Sequence, residues 1–141
     1  MTEPDQEKHK PSFLGPHEDR ELELMLAGKK HLSSFILEEG IGREIFPEGQ
    51  FDRHVAEGLF VKDVRVEQYV SADGEDIRVR SILYATAGEA WRIPAMRTIQ
   101  DIYHSMGPGW RPDLERVVGS LLGYDRNDVE LFVERLAKRH G

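Results

Sequence analysis

The chain has 141 residues, a formal charge of −7 at pH 7 and no cysteine, which excludes disulfides, thiolate metal ligands and a cysteine nucleophile. No apolar run reaches the roughly 18 to 20 residues that a membrane span needs, and the N-terminal segment lacks the apolar core of a secretory signal. We therefore expect a cytoplasmic protein without a membrane segment, and its negative charge disfavours nucleic acid as a partner.

The first part of the chain predicts a short arm followed by one domain. Residues 1–16 contain three prolines among mostly polar neighbours, so we expect a disordered arm. Residues 17–141 show no internal boundary and are interpreted as a single domain. Residues 17–28 are rich in helix formers and favour a helix, although alternating leucines also fit a strand. Residues 31–37 predict a first strand, and residues 48–57 predict a short helix that ends at Gly58.

A β-hairpin over residues 61–85 is the strongest prediction. Two runs of alternating side chains flank Asp73-Gly74, a pair typical of a two-residue type I′ turn. That turn would place Val70 opposite Ile77, Val66 opposite Ser81 and Val64 opposite Leu83. The aliphatic residues of both strands would then share one face, which we expect to meet the helices. This face consists of Val64, Val66, Val70, Ile77 and Leu83.

The other face of the predicted hairpin carries arginine and tyrosine, which can bind a carboxylate, a phosphate or an acidic protein surface. A solvated face in which Arg80 pairs with Glu67 is the plainer interpretation. A short third strand at residues 90–93 would add an aromatic residue and another arginine. The candidate ligand- or partner-binding residues are Arg65, Tyr69, Arg78, Arg80, Tyr84, Trp91 and Arg92.

The rest of the chain predicts helices. Pro94 suits the first turn of a helix with Met96 and Ile99 on its apolar face. Residues 112–122 predict a second helix, and Asn127 is a candidate N-cap for the last one. The fold class is therefore α+β: an antiparallel sheet of three to four strands with the central hairpin 61–85, packed against helices and followed by a C-terminal αα-hairpin.

The sequence contains no recognisable catalytic or metal-binding motif. Asp101 and His104 can share a helix face, but zinc sites usually use three or four protein ligands. The acidic segment 73–76 lacks the spacing of an EF-hand loop. We accordingly assign no catalytic residue, no metal site and no cofactor.

Two functions follow as hypotheses. The first is a non-enzymatic interaction module, regulatory or accessory, that binds another protein or self-associates. The alternative is a domain that binds a small molecule or an anion on the arginine and tyrosine face, with enzymatic activity left open.

Overall fold

The structure is a computed structural model that describes residues 20–38, 47–106 and 111–140. These residues form five α-helices and one three-stranded antiparallel sheet, so the fold is α+β as predicted. In chain order the elements are α1 Glu21–Leu26, β1 Leu32–Glu38, α2 Glu48–Ala56, β2 Phe60–Val70, β3 Asp76–Thr86, α3 Arg92–Met106, α4 Pro112–Leu122 and α5 Arg126–His140.

The chain divides into two compact units. The described residues between 32 and 93 form one, and the described segments before and after them form the other. The single-domain interpretation stays a prediction, and the predicted arm at residues 1–16 lies outside the described residues. The segment that suited either a helix or a strand contains the helix α1, which ends just before Gly28. The predicted first strand is confirmed as β1 and the short helix as α2.

The sheet of the 32–93 unit has the order β1-β3-β2, so β3 is its central strand. Successive residues of a strand point to opposite faces, and both Ile82 and Leu83 have no exposed surface. β3 is therefore buried on both faces around Ile82 and Leu83. The helix α2 covers one of them through Phe51, whose ring lies 5.3 Å from that of Phe35 and 4.8 Å from that of Tyr84, between centroids.

The hairpin is confirmed, but its predicted register is wrong by one residue. Val70 pairs with Asp76, Val66 with Arg80 and Val64 with Ile82. Residues 71–75 join the two strands, and the bond between Ser71 and Glu75 encloses a three-residue loop rather than a two-residue turn. The N–H of Ser71 donates to the carbonyl of Glu75 at 2.8 Å, and the N–H of Gly74 donates to the carbonyl of Ser71 at 2.9 Å. Gly74 has a φ of 83°, as hairpins of this length require at their last loop position.

Because the loop is one residue longer than predicted, the side chains of β2 that were expected to share a face with Leu83 lie on the opposite face. Leu83 pairs with Asp63, and it lies on the face opposite to Val64. Val64, Val66 and Val70 keep 42%, 49% and 70% of their surface exposed, so the predicted burial of these valines is also wrong. The pairing of Glu67 with Arg80 fails for the same reason, because Glu67 faces Val79.

The predicted third strand at residues 90–93 is wrong. A 3₁₀ turn occupies Ala87–Glu89, and α3 already begins at Arg92. Pro94 then lies in the first helical turn, where its missing N–H leaves no intrahelical bond unmade. Only Ala90 and Trp91 lie between the 3₁₀ turn and α3, and two residues are too few for a strand.

The C-terminal αα-hairpin is confirmed by contacts between α4 and α5. Gly119 allows this close approach, because a Cβ atom there would lie 2.5 Å from Cγ2 of Val129. Gly123 ends α4 with a φ of 82°. The predicted cap of α5 is wrong: the carboxylate of Asp125 accepts the N–H of Asn127 at 2.7 Å, so Asp125 is the capping residue.

Candidate functional site

A cluster of charged side chains joins α2 to the sheet. It consists of Glu48, Asp52, Lys62, Arg80 and Tyr84, and we call it the carboxylate cluster. Glu48 and Asp52 are four residues apart on α2 and therefore share a helix face. Lys62 and Tyr84 are direct cross-strand partners. Arg80 shares the face of Tyr84 because the two are four residues apart on β3.

Glu48 is the centre of this cluster. Its two carboxylate oxygens accept hydrogen bonds from the two terminal nitrogens of Arg80 at 3.1 and 2.8 Å. Lys62 Nζ donates to the same carboxylate at 2.8 Å and to Asp52 at 3.1 Å. The bond from Arg80, opposed by burial and assisted by Lys62, lowers the pKa of Glu48 from 4.5 to about 2. Glu48 is thus an anion throughout the physiological pH range.

Tyr84 and Lys62 complete the cluster. The Tyr84 hydroxyl donates to Asp52 at 2.8 Å, and Lys62 Nζ lies 5.6 Å from the centre of the Tyr84 ring. Burial, together with the bond to Asp52, raises the pKa of Tyr84 above its ordinary value of 10. For Lys62, burial lowers the pKa, but the bonds to Glu48 and Asp52 outweigh it and raise the pKa overall.

These pKa directions limit the chemistry of the cluster. A general acid or base works best with a pKa near the operating pH, yet Glu48 stays ionised and Tyr84 stays protonated at neutral pH. An external anion would also compete with Glu48 for Arg80, since a bidentate pair already uses both terminal nitrogens. The geometry suits a link between helix and sheet better than proton transfer or anion capture.

The candidate residues from the sequence do not form one surface. The register puts Arg65 and Tyr69 on the face opposite to Arg78, Arg80 and Tyr84. Arg65 and Tyr69 both approach Glu67, at 3.9 and 2.8 Å respectively.

Trp91 and Arg92 lie at the start of α3 rather than on a strand. The Arg92 guanidinium lies 4.9 Å from the centre of the Trp91 ring, and both side chains donate to Glu89, at 3.1 Å from Trp91 and 2.9 Å from Arg92. These two residues therefore form a local group around Glu89.

Sequence reasoning missed Glu48, Asp52 and Lys62. The spacing of the two acids on a correctly predicted helix was a usable signal, because residues four apart share a face. Lys62 and Tyr84 were both inside the predicted hairpin, but the wrong register placed them opposite other residues.

The half of β2 that leads into the hairpin loop carries a row of exposed apolar side chains. Val64, Val66 and Val70 lie on one face of β2, with Gln68 between the last two, and we call these three valines the valine row. Their exposed fractions of 42%, 49% and 70% are high for β-branched side chains in a strand. Grouped apolar exposure of this kind often marks an interaction site.

The C-terminal helix pair forms a separate, partly open pocket of about 210 Å³. Apolar side chains of both helices form most of its wall, and Glu115 and Asp128 contribute carboxylates. The Glu115 carboxylate also accepts the Tyr103 hydroxyl at 2.5 Å. An apolar cavity of about 150 Å³ can admit benzene, so the space is sufficient for a single-ring molecule.

No family model, curated protein or solved structure matches this chain. Within residues 20–38, 47–106 and 111–140, no helix is long and apolar enough to cross a membrane. In the same ranges, no three His, Asp or Glu side chains are grouped so that they could hold a metal ion.

Proposed function

We propose that this chain is a protein-binding module that acts through the exposed surface of the β2–β3 hairpin. The observation that supports this function is the valine row, which leaves about half of Val66 and 70% of Val70 in solvent. Burying such side chains yields about 25 cal/mol per Å² of apolar surface, so a partner that covers them gains free energy. We also propose the cytoplasm as its compartment, on the basis of the cysteine-free composition.

The carboxylate cluster supports the same proposal indirectly. Its bonds join α2 to β2 and β3, so the half of the hairpin away from its loop is fixed to the helix. A fixed strand loses less conformational entropy on binding than a mobile one. The valine row adjoins these fixed contacts, because Val66 is the cross-strand partner of Arg80.

Photocrosslinking tests this function. A benzophenone amino acid replaces Val66 in the full chain, expressed in its native cells. As a control, the same amino acid replaces Leu131, which is 41% exposed on α5. We expect ultraviolet light to attach Val66, but not Leu131, to a defined protein or to a second copy. A Val64→Asp substitution should reduce this adduct, because it introduces a charge into the valine row. Equal adducts from both positions, or none from Val66, would refute the proposal.

A second candidate function is the binding of a small apolar molecule between α4 and α5, and the pocket of about 210 Å³ favours it. Ligands that bind the folded state raise the melting temperature. We expect indole or benzene to raise that of the wild-type chain but not that of Val118→Trp, which fills the space. An equal or absent shift in both proteins would remove this candidate.

A further inference from the structure

The outer edge of β2 carries backbone groups that point away from β3. The hydrogen bonds of Leu59 with Ala87 and of Ser71 with Glu75 lie at the two ends of the β2–β3 ladder. Hydrogen-bonded pairs alternate with non-bonded pairs in an antiparallel ladder, and its register is constant from Phe60 to Val70. Odd-numbered residues of β2 therefore bond to β3, and even-numbered residues direct their N–H and C=O groups outward.

Natural edge strands are commonly short, or they carry proline, bulges or charged side chains that discourage pairing. Of these features, the described β2 has only charged side chains. β2 is 11 residues long and contains no proline or glycine. Its single lysine, Lys62, directs its ammonium group to Glu48 and Asp52. Within the described ranges, β3 is the only strand that pairs with β2.

The charges along β2 complement those of a second, antiparallel β2. Asp63, Arg65 and Glu67 are alternate residues on one face, with Val64 and Val66 between them on the other. In a two-fold symmetric pair centred on Val66, Arg65 of each copy faces Glu67 of the other. Centring on Arg65 or Glu67 would instead place like charges opposite each other, which is destabilising.

Among the symmetric registers whose overlap includes Asp63, Arg65 and Glu67, two avoid like-charge contacts, and apolar burial decides between them. A pair centred on Val64 sets Arg65 against Asp63, but its overlap ends at residue 68. A pair centred on Val66 overlaps over residues 62–70 and so includes Val70, which is 70% exposed. The outward backbone groups of the even residues then bond to each other. Arg65 and Glu67 fall in the non-bonded pairs, in which side chains approach most closely.

We propose that the chain forms a symmetric homodimer in which β2 pairs antiparallel with β2 of a second copy, with Val66 at the two-fold axis. The dimer joins two three-stranded sheets into one six-stranded sheet and brings both valine rows together on one face. This inference rests on the proposed function, since it names a second copy of the chain as the partner of the hairpin. Its interface is isologous, so each contact occurs twice.

Charge reversal in the full chain tests this register by sedimentation equilibrium. Arg65→Glu and Glu67→Arg each place two like-charge pairs in the interface, so we expect either change to raise the dimer dissociation constant roughly tenfold or more. The double variant restores opposite charges, so its dimer dissociation constant should return to within about threefold of the wild-type value. Arg116→Glu serves as a control: it disrupts the exposed ion pair with Glu130 on α4 and α5 and should leave the constant unchanged.

Three results would overturn the inference. The first is a wild-type chain that stays monomeric at the highest accessible concentration. The second is a dimer that neither single reversal weakens. The third is a double variant whose dimer dissociation constant stays as high as that of the single variants. In the Val64-centred register Glu67 faces Val61, so Glu67→Arg would not compensate Arg65→Glu. A monomer whose Val66 position still crosslinks to a different protein refutes the homodimer but retains the proposed function, whereas a monomer without any adduct refutes both.

Discussion

Arg80 of the central strand and Glu48 of α2 form a bidentate ion pair, with nitrogen–oxygen distances of 3.1 and 2.8 Å. The Glu48 side chain is only 12% exposed and the Arg80 side chain 24% exposed. A charge-assisted pair in this position is stronger than one in open solvent, where screening reduces the attraction. Its loss should therefore be measurable in the free energy of unfolding.

Glu48→Gln should destabilise the protein most clearly near neutral pH. The folded-state pKa of Glu48 is about 2, below the ordinary 4.5, and this difference corresponds to about 3 kcal/mol. A carboxylate with a lowered pKa stabilises the fold above its unfolded-state pKa, and that stabilisation disappears as the pH falls from about 5 towards 2. We expect the difference between wild type and variant to shrink over this range.

Urea unfolding at several pH values measures this effect. Glu130→Gln is the matched control, because Glu130 also binds an arginine, at 2.8 Å from Arg116, but lies in open solvent. That change should alter the free energy of unfolding only slightly. A pH-independent difference for Glu48→Gln would contradict the assigned role of the ion pair.

Tyr84→Phe should destabilise the fold by about 1 to 2 kcal/mol at neutral pH, because it removes the hydrogen bond to Asp52 and keeps the ring. The ring remains packed on Phe51, at 4.8 Å between centroids. Tyr84→Ala should cost about 3 to 5 kcal/mol, since it also leaves a cavity.

The raised pKa of Tyr84 adds a pH dependence at alkaline pH. The stabilisation from a raised acid pKa is present below the unfolded value of about 10 and falls as the pH rises above it. Thermal melts of the wild type should therefore decline more steeply above pH 10 than those of Tyr84→Phe. Parallel declines would show that Tyr84 is not responsible.

The elements could be predicted from sequence because their signals are local. The end of α2 at Gly58 and that of α4 at Gly123 follow from a few adjacent residues, and both glycines have a φ of 82°. The register of the hairpin depends on the length of its loop. Asp73-Gly74 suits both a two-residue and a three-residue loop, so the sequence leaves the register undetermined by one residue.

The site could be predicted only in part, because the register was off by one residue and because two members of the site come from another element. Arg80 and Tyr84 were recognised as candidates, and they do lie on one face. Their partners Glu48 and Asp52 come from α2, and no local pattern specifies which face of a sheet a helix covers. The valine row was assigned to the core because the shorter loop would have grouped it with Leu83.

Lys30→Met should remove a pH dependence at mildly alkaline pH. Lys30 is 2% exposed, and its ammonium group donates to the carbonyl of Leu122 at 2.5 Å and lies 5.0 Å from the centre of the Tyr124 ring. Burial lowers its pKa to about 8, against an opposing effect of Glu21. The unfolded chain then binds more protons between pH 8 and about 10.5, so stability rises with pH over that interval.

Comparing the pH dependence of stability in the wild type and in Lys30→Met isolates the contribution of Lys30, because both proteins contain the same tyrosines. We expect wild-type stability, relative to the variant, to increase by about 3 kcal/mol from pH 8 to 10.5. Lys29→Met is the control, because Lys29 is the exposed neighbour of Lys30. A relative increase of similar size for Lys29→Met would contradict the assignment to Lys30.

Gly119→Ala and Gly49→Ala should have opposite effects on stability. Both glycines lie within helices, and alanine favours a helix by about 1 kcal/mol over glycine. At Gly49 no atom lies within 4 Å of the added Cβ, so we expect stabilisation of about 0.5 to 1 kcal/mol. At Gly119 the Cβ would lie 2.5 Å from Val129 Cγ2, and the resulting strain, about 1 to 3 kcal/mol, should exceed the helix gain.

The clash at Gly119 can be separated from other effects with a double-mutant cycle. Val129→Ala removes both γ-carbons, so Gly119→Ala should cost less in that background than in the wild type, by at least about 0.5 kcal/mol. Chemical denaturation of the four proteins gives the coupling energy directly. Additive effects would mean that α4 and α5 can separate at no cost to their packing, contrary to the close contact between Gly119 and Val129.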